Sequence, residues 1–192
     1  YTVDLQEAYG VANVKDFVFL DDYFEPTVLI LHEPQRTCPG RSAVQRNTCQ
    51  LVAISLDLRS KSHSKTWAMA KLPYDAHQVV GIPESSGGGV LVLSPNILMQ
   101  VRHEVCVSGL SLNSFGDAYA DEMASLYDTI VQSRTLMALD AARCCFLDPL
   151  ESATALVSLK GGELYFLTLA SAGRGAIGME RAGSTVLASA IV

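Results

Sequence analysis

The sequence predicts an all-β protein: a sector of a larger β-propeller, roughly three blades of four antiparallel strands. Three observations carry this. Apolar runs have strand length and are punctuated by Gly, Pro and Asp turns. The runs fall into groups of four. The grouping also recurs: Asp75–Ala76 opens a second set and Asp140–Ala141 opens a third, 65 residues later. With 192 residues, 49% of them hydrophobic, the chain can bury a sizeable core.

The first set begins with Val14–Leu20 (VKDFVFL), bounded by Asp21–Asp22. Thr27–Glu33 follows Glu25–Pro26, and Cys49–Leu58 is rich in Leu, Ile and Val. Ser64–Ala70 (SKTWAMA) alternates so that Trp67 and Met69 share one face. The second set is Gln78–Ile82, Val90–Leu93, Ile97–Val101 and Val105–Leu112, with turns at Gly87–Gly89 and Pro95–Asn96. The third starts with Cys144–Leu147, Ala155–Leu159 and Glu163–Leu169, and Gly183–Val192 is expected to complete it or enter the next. Gly161–Gly162 stands where a two-residue hairpin needs positive φ.

Repetition of four-stranded units marks a propeller, in which each blade buries its faces against its neighbours. The 65-residue spacing exceeds the roughly 40–45 residues of a WD repeat, and the Trp-Asp dipeptide is absent. Part of the excess is an acidic insertion at 113–133. In it Tyr119, Met123, Leu126, Tyr127 and Ile130 have helical spacing, which suggests a short amphipathic helix packed on its own blade or offered to a partner, with a disordered stretch as the remaining alternative. Residues 1–192 thus read as one partial propeller domain. The opening Tyr1 and the apolar close, Thr185–Val192, read as cuts inside a longer protein. An unclosed stack of blades is expected to self-associate.

No apolar run approaches the roughly 20 residues that span a bilayer, and neither a signal peptide nor a membrane partner is expected. Cys38, Cys49, Cys106, Cys144 and Cys145 form no Cys-x-x-Cys pair and read as reduced, buried thiols. Net charge is −6, unevenly spread. Between Arg36 and Lys71 there are seven basic residues, Arg36, Arg41, Arg46, Arg59, Lys61, Lys65 and Lys71, against Asp57 alone. That segment carries +6 and the remainder −12. Arg36, Arg41, Arg46, Arg59, Lys61 and Lys65 are therefore the candidate interface for RNA or an acidic partner, and a plain solvated loop face is the alternative. Trp67 is the sole aromatic residue there for stacking, which weighs against single-stranded RNA.

Catalysis by a nucleophile needs a base that an acid orients. There is no Gly-x-Ser-x-Gly elbow, and His32, His63, His77 and His103 lack metal-ligand spacing. Gly87–Gly89 precedes a strand and lacks the Lys-Ser/Thr of a phosphate loop. The expectation is no enzymatic activity, no metal and no cofactor.

Ordered blocks then give a resemblance. Tyr1–Leu5 (YTVDL) looks like an entering strand. Tyr23–Pro34 (YFEPTVLILHEP) is followed by Pro39–Gly40–Arg41, Asn47–Thr48–Cys49 and Val52–Leu56. Leu72–Asp75, Ile82–Pro83, Val157–Leu169 (VSLKGGELYFLTL) and Ala188–Val192 continue in order. Together they resemble the largest subunit of cleavage and polyadenylation specificity factor. Cys38 stands where that family suggests Trp, and the 113–133 insertion is longer and more acidic. The resemblance implies a nuclear, non-enzymatic multi-propeller scaffold, with this segment in its first propeller. The implied partners are a zinc-finger subunit and a WD-repeat subunit that read the AAUAAA signal, and the endonuclease module, with pre-mRNA held indirectly. Ubiquitin-ligase adaptors of the damaged-DNA-binding class and a splicing-factor scaffold share the fold, so an adaptor role is the alternative. Direct RNA binding through the basic segment is a third.

Overall fold

The computed structural model describes residues 2–21, 23–125, 130–132, 139, 143–146, 154–169 and 177–181. Three sheets follow one another along the chain. Blade I is an antiparallel meander of β1 (Val14–Leu20), β2 (Thr27–His32), β3 (Cys49–Asp57) and β4 (Ser62–Leu72). Blade II holds β5 (Gln78–Gly81), β6 (Val90–Leu93), β7 (Ile97–Arg102) and β8 (Val105–Ser111), with a fifth strand, β9 (Ile130–Gln132), outside them. Blade III is β10 (Arg143–Phe146), β11 (Thr154–Ser158), β12 (Leu164–Thr168) and β13 (Gly178–Arg181). The first strand of each blade touches the first strand of the next, β1 to β5 and β5 to β10. Asp16 of β1 reinforces the first of these contacts by accepting from the Val79 backbone N–H at 2.9 Å. Sheets adjoining through their first strands and packing face to face form a propeller sector.

Strand periodicity explains the packing. Leu29, Leu31, Leu51, Ala53, Trp67 and Met69 project from one face of blade I. They meet Val79, Val90, Val92, Ile97, Met99 and Val101 of blade II. The alternate residues of blade II, among them Leu91, Leu93, Leu98 and Leu110, face blade III and meet Ala155, Val157, Tyr165 and Leu167. The run Val90–Leu93 is apolar throughout because both its faces are buried. Each such side chain contributes about 1.5–3 kcal/mol of burial. Trp67 completes its burial with a 2.5 Å hydrogen bond from Nε1 to the Tyr23 hydroxyl.

The far face of blade I is covered only in part. Val11, Leu5 and Tyr9, from the segment carrying helix α1 (Leu5–Tyr9), lie over Ile30, Val52 and Ile54. Beside them an apolar groove is lined by Val3, Val14, Phe17, Val28 and Leu56. Phe17 is 60% exposed.

Several expectations need correction. Tyr1–Leu5 does not supply a strand: Thr2–Asp4 is irregular and Leu5 starts α1. Asp4 caps that helix by accepting from the Gln6 and Glu7 N–H groups, and Gly10 ends it at φ +68°. The fourth strand of blade III lies at Gly178–Arg181, before the expected Gly183–Val192, which lies outside the described residues, as do Asp140–Ala141, Leu126 and Tyr127. Ile130 belongs to β9 and not to a helix. The β11–β12 hairpin has a three-residue loop, Lys160–Gly162, closed by a Leu159 N–H to Glu163 carbonyl bond of 2.8 Å. Only Gly162 takes positive φ, +85°, as a type I turn with a following bulge demands. Finally, Cys49, Cys106 and Cys144 are buried but Cys38 and Cys145 are exposed, and all five are free thiols.

Candidate functional site

The connections sort onto two faces of the sector. The β2–β3 connection, with its short helix α2 (Pro39–Ser42), lies on one face. The β4–β5 and β6–β7 connections lie there too, with the segment after β8. The β1–β2, β3–β4, β5–β6 and β7–β8 turns lie on the other. On the first face, at the junction of blades I and II, the chain encloses a cleft of about 330 Å³. One wall is Ser42, Ala43 and Arg46, and the floor is Pro73, Tyr74 and Asp75. Ser94, Asn96 and Ile97 come from the β6–β7 turn, and Phe115, Gly116 and Tyr119 from helix α3 (Ser114–Glu122).

A polar network fixes the floor, the β6–β7 turn and α3, and the Tyr74 N–H ties the wall to the floor by donating to the Arg46 carbonyl at 2.9 Å. Asp75 accepts from Ser94 Oγ at 2.7 Å and from Asn96 Nδ2 at 3.0 Å. Asn96 in turn accepts from Asn113 Nδ2 at 3.1 Å through Oδ1, and from the Leu112 N–H at 2.9 Å through its carbonyl. Asn113 also caps α3, taking the Phe115 and Gly116 N–H groups on Oδ1 at 3.0 and 3.1 Å. Ser111 Oγ donates to Asp117. Gly116 is required by close approach, since a Cβ there would lie 2.3 Å from the Asn96 carbonyl oxygen.

Helix α3 follows the last antiparallel strand of blade II yet closes on blade I. Tyr119 and Met123 are buried in the cluster between the two blades. The Tyr119 hydroxyl donates to the Lys71 carbonyl at 2.8 Å, and Asn47 Nδ2 approaches Met123 Sδ at 3.4 Å. The helix thus joins two blades, whereas the sequence reading packed it on its own blade or left it to a partner.

The six candidate basic residues do not form one surface. Arg36, Arg41 and Arg46 lie in the β2–β3 connection on the cleft face. Arg59 and Lys61 are in the β3–β4 turn on the opposite face, and Lys65 pairs with Ile54 toward that same end. The nine-residue length of β3 separates Arg59 and Lys61 from the first group by roughly 26 Å at about 3.3 Å per residue. Of the six, only Arg46 lines the cleft. Arg41 is half-buried and donates from Nη1 to the Gln35 carbonyl at 2.9 Å. Arg59 lines a separate depression with Phe24 and Leu58.

Two buried polar residues sit at the base of the β2–β3 connection. Glu33 accepts from the hydroxyls of Thr37 and Thr48. Burial alone would raise its pKa, but these hydrogen bonds and nearby Lys15 hold it below the usual carboxylate value. His32 is buried, and among the described residues neither ring nitrogen has a well-formed hydrogen bond. Burial lowers its pKa, and the Ala12 backbone, without a well-formed bond to the ring, offsets this only in part. Among the described residues, no three His, Cys, Asp or Glu side chains are grouped to hold a metal ion.

The class that emerges is a propeller sector whose loops build a cleft at a blade junction. No protein-family model matches the chain. Over 86% of its length it is 40% identical to "Cleavage and polyadenylation specificity factor subunit 1" of Drosophila melanogaster. Identity to the protein of that name in Arabidopsis thaliana is 35% over the whole chain. A probable form of the same subunit in Caenorhabditis elegans is 33% identical over 85%. The chain belongs to the family of this subunit. It spans 11% of the length of the fly and nematode proteins and 13% of the plant protein.

Proposed function

We propose that this propeller sector is part of a non-enzymatic scaffold for nuclear mRNA 3′-end cleavage and polyadenylation. The carrying observation is identity of 33–40% over most of the chain to proteins named for that process. The architecture suits the role, because the strands are consumed in blade packing and the loops are left to meet partners. The expected partners are the zinc-finger and WD-repeat subunits and the endonuclease module, with pre-mRNA held through them. The division of the basic residues between two faces favours contacts with proteins over one continuous RNA track.

The test is affinity purification of the full-length parent chain followed by mass spectrometry. Recovery of the polyadenylation subunits is the expected result. Recovery of a cullin or of spliceosomal proteins in their place would keep the fold and reject the function.

A further inference from the structure

We infer that the cleft between blades I and II receives an extended peptide segment of another protein. The segment carries a bulky apolar anchor, with a carboxylate on one side of it and a cation on the other. This deepens the scaffold reading and rests on it only in taking the occupant to be protein.

The cleft volume, about 330 Å³, lies at the low end for ligand sites and suits one or two side chains better than a cofactor. Its rim holds an unused aromatic. Phe115 is 70% exposed although it lines the cavity, and Val44, next to the wall residue Ala43, is 87% exposed. Across from Phe115 stands Arg46, exposed and with no ion pair among the described residues. Aromatic residues and arginine are the side chains that most often anchor protein interfaces.

The charges on the two walls differ. Arg46 lines the β2–β3 wall, while α3 carries Asp117, Asp121 and Glu122 and no basic residue; none of the three lines the cleft, and Glu122, one turn beyond Tyr119, lies nearest the lining face. Asp75 on the floor is already engaged by Ser94 and Asn96, and Asp117 by Ser111. Asp121 and Glu122 are exposed. A carboxylate beside Arg46 and a cation beside α3 complement this pattern. An RNA strand brings a negative charge with every nucleotide and meets repulsion on the α3 side, so the observations favour peptide over RNA.

The test uses the full-length chain and a phage-displayed library of random dodecapeptides. Selection is made against the wild type with counter-selection on the Arg46→Glu, Phe115→Ala double variant. The best peptide is synthesised and its binding followed by fluorescence anisotropy. Both variant side chains are exposed, so the fold is retained. The expected peptides share an apolar residue between an acid and a base. Each single variant should weaken binding about tenfold or more, and Leu58→Ser on the opposite face should leave it unchanged. The inference is overturned if no peptide is enriched over the double variant, or if the enriched peptide binds all variants alike. It is also overturned if dodecauridylate binds more tightly than the peptide and depends on Arg46. Affinity purification of the Phe115→Ala chain separates this from the scaffold reading: loss of every polyadenylation subunit from the wild type too would sink the latter alone.

Discussion

Changing Gly116 to alanine sets two known effects against each other. Alanine is favoured over glycine inside a helix by about 0.8–1 kcal/mol. The new methyl group, however, would sit 2.3 Å from the Asn96 carbonyl oxygen and 3.1 Å from Ser111 Oγ. A carbon–oxygen contact opens to about 3.3 Å, so α3 must move away from the β6–β7 turn by about an ångström. The oxygen cannot easily yield, because it accepts the Leu112 N–H at 2.9 Å. Overpacking of this kind costs about 1–3 kcal/mol. The clash therefore wins, by about 1 kcal/mol, and local opening rises roughly fivefold. Hydrogen exchange read by mass spectrometry over α3 and residues 94–97 measures this. The control is Gly40→Ala in α2, where an added Cβ meets nothing within 4 Å and exchange should be unchanged or slower. Slower exchange of α3 in Gly116→Ala would show that the helix does not rest on the Asn96 carbonyl, and the described cleft geometry would fall with it.

Other outcomes follow from burial and titration. Leu91→Ala leaves a hole between blades II and III and should lower stability by about 2–5 kcal/mol, measured by urea unfolding. The folded-state pKa of His32 lies below the ordinary 6.5, so its contribution is fully present above that value. Stability should decline as pH falls from 6.5 toward the lower folded value, and His32→Leu should flatten that decline in a thermal melt series. Glu33 acts in a separate window: its folded pKa is below 4.5, so its share is lost only as pH falls beneath that. Maleimide should label Cys38 and Cys145 in the folded chain and spare Cys49, Cys106 and Cys144 until unfolding. Burial pushes the Cys144 thiol up to about 12, which removes the reactive thiolate.

The strands were legible because their signal is local. Val90–Leu93 and Thr27–His32 are short, β-branched and bounded by turns, and they appear where the pattern places them. Errors arose where one signal masked another. Helix α1 has an Asp cap and a terminal Gly, a signal that the strand-like wording of Tyr1–Leu5 hides. The helical spacing of Tyr119 and Met123 runs on to Ile130, although α3 stops at Glu122 and Ile130 pairs with Gly109. The basic segment read as one field because sequence distance ignores the strand that carries Arg59 to the far face. The cleft was not readable at all. It joins residues near 42, 75, 96 and 115, and only the topology brings them together. Asp75 and the Ser94–Pro95–Asn96 turn are the traces of it in the sequence.

Among the described residues, blade II alone carries a fifth strand at its outer rim. Chain that leaves β8 through α3 returns as β9, which runs parallel to β8 and pairs with Gly109–Ser111. A sheet edge normally offers a row of backbone donors and acceptors to any passing strand. Here part of that row is occupied from within the same polypeptide, and Gly109 makes the approach possible, since a Cβ there would strike Ile130 at 2.7 Å. Blade II is thereby closed along this stretch to partners that bind by adding a strand. Whatever approaches the propeller rim there must recognise side chains and the α3 surface, while β4 still terminates its own sheet.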